Sequence, residues 1–291
     1  MPAGREITIV EVGPRDGLQN EKGVISTDDK LELIRLLADC GLCRIEAAAF
    51  VSPKWVPQMA DHDTVMRRAV RRDGVRLSAL VPNEQGAIAA IAAGAHELAV
   101  FASASETFAM KNTNCTIAES IERFVPVLEL AKANDLPVRG YVSCAVDCPY
   151  EGAITPAAVA RVAKQLVRIG CKEIAVADTI GRARPDRVDD MLRPVLDIIS
   201  VDGLACHFHD TGGIALANVD VALERGIRIF DSACGGLGGC PYAPGAAGNL
   251  ATARLAQHLS ALGYDHGVDL AALDLAEDFA KAVALQLRFQ T

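Results

Sequence analysis

Two histidines separated by one residue, His207 and His209, give the strongest chemical signal in this sequence of 291 residues. They end an apolar run that begins at position 204 and predicts a β-strand. Residues two apart on a strand point to the same face, so both imidazoles could hold one metal ion. Two structural histidines are the alternative. We favour a metal site, because the pair adjoins Asp210 at the end of a strand.

Two further residues could complete the coordination of a metal. Asp16 follows the first apolar run of the chain, and Asn249 follows the last. Each has an ordinary structural explanation as well, since Asp is common in turns and Asn caps the N-termini of helices. Together with the two histidines they form a ligand set of one carboxylate, two imidazoles and one amide oxygen. This set contains no thiolate and suits Mg²⁺ or Mn²⁺ better than Zn²⁺.

Other side chains are candidates for the chemistry itself. Arg15 could stabilise a developing oxyanion, although a salt bridge, for example to Glu46, would also explain an arginine beside Asp16. Cys240 lies in a glycine-rich stretch, 235–248, which suits a mobile lid or a close approach of backbone to a ligand. A thiol with an ordinary pKa near ~8.5 is protonated at neutral pH and can donate a proton, the alternative being a structural cysteine.

These residues need a fold that brings distant segments together. Short apolar runs rich in Val and Ile alternate with amphipathic stretches of helical period, which is typical of βα units around a parallel sheet. Eight such runs in a chain above ~250 residues favour a (β/α)₈ TIM barrel. A doubly wound sheet is the alternative, but no G-x-G-x-x-G follows the first run. The predicted strands are 7–12, 44–48, 75–80, 97–101, 138–142, 173–177, 204–209 and 229–232, and the predicted helices include 27–39, 84–93, 117–133, 156–169, 185–199 and 215–225.

A barrel of this kind builds its active site from the C-terminal ends of the strands and the loops that follow them. The candidate residues lie in the strands or directly after them, so we expect them on one rim. We expect a single domain, 1–291, with the residues past about 270 as an extra helical segment packed outside the barrel. The residues predicted for the rim are Arg15, Asp16, Glu46, Asp178, His207, His209 and Asn249.

Composition excludes several classes of protein. A net charge of −8, an isoelectric point near 5.3 and only 4% aromatic residues argue against a nucleic-acid surface. No apolar run approaches the roughly 20 residues that span a bilayer. The nine cysteines are odd in number and irregularly spaced, which argues against a disulfide framework. We expect a soluble protein of a bacterial cytoplasm or, for a processed eukaryotic chain, of the mitochondrial matrix.

Four stretches resemble the 3-hydroxy-3-methylglutaryl-CoA (HMG-CoA) lyases, which belong to the metallolyase barrels together with isopropylmalate and homocitrate synthases. The likeness covers nearly the whole chain. It implies divalent-metal-dependent retro-Claisen cleavage of a 3-hydroxyacyl-CoA. The substrate favoured by the resemblance is HMG-CoA, which would give acetoacetate and acetyl-CoA. It also suggests leucine degradation and a homodimer. The stretches are EVGPRDGLQNE at 11–21, FVSPKWVPQM at 50–59, RGYVSC at 139–144 and GLGGCPYA at 236–243.

The resemblance also implies a role for each candidate residue. The metal would be held by a carboxylate, two imidazoles and an amide, the thioester carbonyl would face an arginine, and a cysteine would act in proton transfer. The base would be one of two aspartates. The residues are Asp16, His207, His209 and Asn249 for the metal, Arg15 for the carbonyl, Glu46 to organise Arg15 and the metal shell, Cys240 for the proton, Asp178 near the substrate hydroxyl, and Asp16 or Asp178 as base.

The substrate is left open by three departures from the family pattern. Ala49 and Ala175 stand where these lyases commonly carry hydroxyl residues, and Gly213 where they often carry a larger side chain. The alternative is therefore the same chemistry on a longer 3-alkyl glutaryl-CoA or a citramalyl-type thioester, although water or backbone could replace the missing hydroxyls. A Claisen-type synthase and a non-catalytic binding protein are more distant alternatives, the latter because every expected ligand is present.

Overall fold

Eight parallel strands close into a barrel in the computed structural model, which describes residues 4–21, 23–238 and 248–288. Two further short strands pair as an antiparallel hairpin after the fifth barrel strand. The predicted (β/α)₈ TIM barrel is confirmed. The barrel strands are β1 (Thr8–Glu11), β2 (Arg44–Ala49), β3 (Arg76–Leu80), β4 (Glu97–Ser103), β5 (Val138–Ser143), β8 (Glu173–Asp178), β9 (Leu204–Phe208) and β10 (Ile229–Ser232), and the hairpin is β6 (Asp147–Cys148) with β7 (Gly152–Ala153).

The barrel is closed by parallel pairing of its first strand with its last. Thr8 is in register with Ile229 and Glu11 with Ser232, while the other side of β1 pairs with β2. The remaining strands pair in chain order around the ring. Because all eight strands run the same way, their C-terminal ends share one rim.

Helices surround the barrel, and several of them begin at residues whose side chains cap the free N–H groups of the first turn. The Ser26 hydroxyl accepts from the N–H of Asp29, and Thr116 forms a capping box with Glu119. The predicted C-terminal helix is present and packs against the first and ninth helices. The helices are α1 (Thr27–Asp39), α2 (His62–Arg68), α3 (Glu84–Ala92), α4 (Glu106–Thr113), α5 (Ile117–Ala133), α6 (Pro156–Ile169), α7 (Pro185–Leu196), α8 (Ala215–Glu224), α9 (Thr252–Ala261) and α10 (Leu270–Arg288).

The barrel interior contains a group of charged side chains, which we call the interior ion cluster: Arg44, Glu97, Arg139, Glu173 and Asp231. Arg44 contacts Glu97 and Glu173, each at 2.8 Å. Arg139 contacts Glu173 at 2.8 Å and Asp231 at 2.6 Å. Since β2 and β8 are not neighbours, and β5 and β10 are not either, the Arg44–Glu173 and Arg139–Asp231 contacts cross the inside of the barrel. The apolar runs of the sequence did not predict this.

Among the described residues, no helix combines the length and the apolar character needed to cross a membrane.

Candidate active site

The turn after β1 brings two candidate residues to the rim. Residues Gly13–Gly17 form one π-helical turn, in which the Val12 carbonyl accepts from the N–H groups of Arg15, Asp16 and Gly17 at 3.2, 2.7 and 3.2 Å. A side chain on Gly17 would not fit, because a Cβ there would lie 2.7 Å from the Cβ of Leu237. The turn is therefore held tightly against the segment that follows β10.

Asp16, His207 and His209 meet at this rim as a cluster of three ligand-type side chains. Oδ2 of Asp16 lies 3.9 Å from Nε2 of His207 and 4.0 Å from Nε2 of His209. The three ligand atoms all lie within 4.8 Å of one another. These distances are too long for hydrogen bonds, but atoms that share one cation at 2.0–2.3 Å are separated by such spans. The donor set and its spacing fit a divalent metal.

Asn249 lies beside this cluster. It pairs with His209 in an isolated β-bridge, so the backbone itself places the amide next to the histidine. Its Nδ2 donates to Oδ2 of Asp16 at 2.9 Å and to the Leu237 carbonyl at 3.1 Å. All four residues predicted as metal ligands are thus brought together.

The charge states in the cluster suit cation binding. Burial opposes the ionisation of Asp16, but Arg15 and the two histidines hold the pKa of its carboxyl well below the ordinary value. Burial, together with His207, lowers the pKa of His209 to about 4. At neutral pH the cluster therefore offers a carboxylate and at least one neutral imidazole, which are the forms that bind metals.

Glu46 fixes the orientation of Arg15. The Nε of Arg15 donates to Oε1 of Glu46, and Nη1 donates to Oδ1 of Asp16 at 2.6 Å. The hydroxyl of Tyr141 donates to the other oxygen of Glu46 at 2.9 Å. The predicted salt bridge between Arg15 and Glu46 is present, and it holds the guanidinium at the rim beside the metal cluster. The role of Arg15 in stabilising an oxyanion stays a prediction.

A second chain of contacts reaches the cluster from inside the barrel. Nδ1 of His207 contacts Oδ2 of Asp231 at 3.0 Å, and the other oxygen of Asp231 accepts from Arg139 at 2.6 Å. Arg139 also donates to the Tyr141 hydroxyl at 3.1 Å. Since a carboxylate can only accept, Nδ1 of His207 carries the proton and Nε2 is left to face Asp16. These contacts join His207 to Arg15 through buried side chains.

The sequence analysis missed three residues of this series of contacts: Arg139, Tyr141 and Asp231. A signal was available, since each is a polar residue inside an otherwise apolar run, and Arg139 and Tyr141 are two apart on one strand. Alternation places such residues on one face, but it does not say which strand across the barrel supplies the partner.

Asp178 stands apart from the cluster contacts. It ends β8, and its two oxygens accept from the backbone N–H groups of Gly181 at 3.1 Å and of Ala183 at 2.9 Å. Burial raises the pKa of its carboxyl to about 6. In this structure Asp178 holds the turn that follows β8, and its predicted contact with the substrate hydroxyl stays a prediction. Cys240 lies outside the described residues.

The three departures from the family pattern lie in different surroundings. Ala49 and Ala175 are buried in β2 and β8, and Ala175 is in register with Tyr141 of the neighbouring strand. Gly213 has a φ of +70°, which disfavours other residues, although open space surrounds the position of a Cβ.

Fold and site together define an enzyme barrel with a candidate divalent-metal centre at its C-terminal rim. Residues 6–279 match the family model described as HMGL-like. The chain belongs to this HMGL-like family and is a carbon–carbon lyase. The family predicted from the four sequence stretches is confirmed.

Individual relatives agree with this assignment. The chain is 54% identical to the hydroxymethylglutaryl-CoA lyase of Pseudomonas mevalonii, over 92% of this chain and 89% of that protein. It is 55% identical to the HMG-CoA lyase of Brucella melitensis, whose crystal structure matches with a TM-score of 0.95 over 96% of this chain and 99% of that one. An HMG-CoA lyase of Acinetobacter baumannii, solved with coenzyme A and 3-methylmalate, matches at 38% identity and a TM-score of 0.93, over 98% and 93% of the two chains.

Proposed function

We propose that this protein cleaves HMG-CoA to acetoacetate and acetyl-CoA with a bound divalent metal, Mg²⁺ or Mn²⁺. The observation that carries the proposal is the cluster of Asp16, His207 and His209 beside Arg15, in a chain more than half identical to HMG-CoA lyases. A coenzyme A thioester substrate is supported by the relative solved with coenzyme A. The relatives named above do not favour the longer or citramalyl-type thioesters or a synthase.

Asp16, His207 and His209 would hold the ion, and Asn249 would add its amide oxygen while its nitrogen stays on the Leu237 carbonyl. When bound, the ion acts as a Lewis acid that lowers the pKa of the substrate's tertiary hydroxyl and orients it. The protein prepares this site with an ionised Asp16 and with a His207 whose tautomer is set by Asp231.

The carbon–carbon cleavage needs a base, an oxyanion stabiliser and a proton donor. A base removes the proton of the 3-hydroxyl, the C2–C3 bond breaks, and its electrons form the enolate of acetyl-CoA while C3 becomes the ketone. Arg15, held by Glu46, would stabilise the enolate oxygen. A proton from the Cys240 thiol, or from a water beside it, would then complete C2.

Of the two carboxylates predicted as the base, Asp16 is the one in the cluster. Both carboxylates already accept a hydrogen bond on each oxygen, Asp178 from backbone N–H groups and Asp16 from Arg15 and Asn249, so only their positions distinguish them. The low pKa of Asp16 makes it a weak base, so it can act only on a hydroxyl that is itself acidified, which is what a bound ion provides. We assign the role of base to Asp16 because it lies in the metal cluster.

A panel of 3-hydroxyacyl-CoA thioesters, assayed with Mg²⁺ or Mn²⁺ and with a chelator, tests the proposal. We expect the highest kcat/KM on HMG-CoA, no turnover with the chelator, and loss of turnover in His207→Ala and Asp16→Ala. His258→Ala removes a histidine that contacts Asp220 between α8 and α9, and should leave activity intact. An optimum on another thioester contradicts the proposed substrate, and full activity of His207→Ala contradicts the site.

Other properties expected from the sequence itself or from the resemblance remain predictions. They are the homodimer, a place in leucine degradation, a single domain over 1–291, and a location in a bacterial cytoplasm or the mitochondrial matrix.

A further inference from the structure

Glu11, the last residue of β1, is a fully buried carboxyl that the proposed chemistry does not use. Its Oε1 accepts from the backbone N–H groups of Gly13 at 2.8 Å and of Cys234 at 2.9 Å. Its Oε2 accepts from the hydroxyl of Thr252 at 2.6 Å. One side chain therefore joins the turn that directly follows it to two distant segments, 223 and 241 positions further along the chain.

Two of these segments lead directly to the candidate metal centre. Gly13 opens the turn that carries Arg15 and Asp16. Cys234 opens the short turn after β10, and three residues later the Leu237 carbonyl accepts from Asn249. Both segments are held by Glu11 at their first residue, and they contact each other again at the rim, where Gly17 packs on Leu237.

The backbone at Gly13 packs closely against the carboxyl of Glu11 and the backbone of Cys234. A Cβ on Gly13 would lie 2.5 Å from Oε1 of Glu11 and 3.2 Å from the nitrogen of Cys234. A glycine at this position thus allows the carboxyl to reach both backbone N–H groups. The third partner, Thr252, contacts the Ser232 hydroxyl at 2.9 Å, which extends the junction to the end of β10.

We propose that Glu11 is a positioning residue that sets the relation between the Arg15–Asp16 turn and the 234–238 segment, and thereby the spacing of the metal ligands. The proposal rests on the proposed function. Burial is costly for a carboxyl and raises the pKa of Glu11 to about 7. This cost is offset because a single carboxyl accepts from two buried backbone N–H groups and a hydroxyl at once, which an apolar residue of similar volume would leave without an acceptor.

Two substitutions separate hydrogen bonding from size. Glu11→Gln keeps an oxygen that accepts from the two N–H groups, and its NH₂ group can donate to the hydroxyl of Thr252. That hydroxyl can then donate to Ser232. Glu11→Met has a similar length and no strong acceptor. We expect Glu11→Met to weaken Mn²⁺ binding, measured by calorimetry without substrate, by about 10-fold or more, and to lower kcat on HMG-CoA more than it changes KM. Glu11→Gln should restore most of both.

Leu192→Ala, which creates a cavity at the buried face of α7, is the control for loss of stability alone. It should lower the unfolding midpoint while leaving Mn²⁺ affinity unchanged. Should Glu11→Met fail to fold, Thr252→Val removes one of the three donors and is expected to weaken Mn²⁺ binding in the same direction by a smaller factor.

The proposal is overturned if Glu11→Met, or Thr252→Val in its place, binds Mn²⁺ as the wild type does, or if Leu192→Ala weakens binding equally. A wild type that binds no Mn²⁺ and does not cleave HMG-CoA would contradict the proposed function itself. A wild type that does both, beside an unaffected Glu11→Met variant, would contradict the role of Glu11 alone.

Discussion

Asp231 supports the metal cluster from inside the barrel without belonging to it, and Asp231→Asn tests that support. In the wild type its carboxylate accepts from Nδ1 of His207 at 3.0 Å and from Arg139 at 2.6 Å. Burial opposes its ionisation, yet Arg139 and His207 hold its pKa below the ordinary value. An Asn of the same shape can present its NH₂ group to Nδ1, which favours the tautomer with a proton on Nε2, facing Asp16.

The expected loss can be bounded from these contacts. His207 would have to give up a hydrogen bond, or bind in a less favourable tautomer, while all four ligands stay in place. Replacement of such an outer partner typically costs about 10–100-fold in metal affinity, which corresponds to about 1.4–2.7 kcal/mol. The loss should not be larger, because Arg139 keeps Glu173 at 2.8 Å as a second carboxylate partner.

Calorimetric titration with Mn²⁺ measures this change directly, and kcat on HMG-CoA at saturating Mn²⁺ shows whether activity is recovered. Asp220→Asn is the matched control, since Asp220 contacts Nε2 of His258 at 2.6 Å on the outer helices. An Asp231→Asn protein with wild-type Mn²⁺ affinity would refute the argument that Asp231 prepares His207 as a ligand.

Two further predictions concern single residues of the rim. Arg15→Gln should lower kcat by on the order of 10²–10³ and change KM by much less, because the charge is needed mainly as the enolate forms; steady-state kinetics would contradict this role if the effect were confined to KM. Burial raises the pKa of Asp178 from an ordinary 3.8 to about 6, so the folded state retains a proton that the unfolded state has lost, and the contribution of this carboxyl to the free energy of unfolding should fall by about 2 kcal/mol as the pH rises from 4 to 6. Urea unfolding at several pH values should show this fall in the difference between the wild type and Asp178→Asn, since His209 and Glu11 titrate in both proteins, whereas a difference that does not change with pH would mean that the proton resides elsewhere.

The fold could be predicted because buried parallel strands are apolar on both faces. The eight predicted runs agree with the observed strands within two residues at each end, and α1, α5 and α6 begin and end where they were predicted. In the structure Thr116 and Thr155 cap two of these helices. The short helices α2 and α4 and the hairpin β6–β7 were not predicted, because they are too short to establish a period.

The site could be predicted only where it follows from the rule that the C-terminal ends of the barrel strands share one rim. Strand ends share a rim, which is why Asp16 and His207 were expected together although 191 positions separate them. The partners inside the barrel could not be predicted in the same way. Arg139 meets Asp231 across strands that are not neighbours, and this pairing depends on the stagger of the closed barrel rather than on any local pattern.

The interior ion cluster has a consequence for how this barrel can fold and change. Its contacts join β2 to β4 and β8, and β5 to β8 and β10, so a fragment that ends before β8 would bury Arg44 and Arg139 without Glu173 and Asp231. Removing one partner of a buried ion pair costs about 3–5 kcal/mol, whereas replacing the whole set with apolar residues of similar volume is often neutral. Half-barrels of this chain are therefore poor folding units, and the cluster can be exchanged for an apolar core only by several substitutions made together.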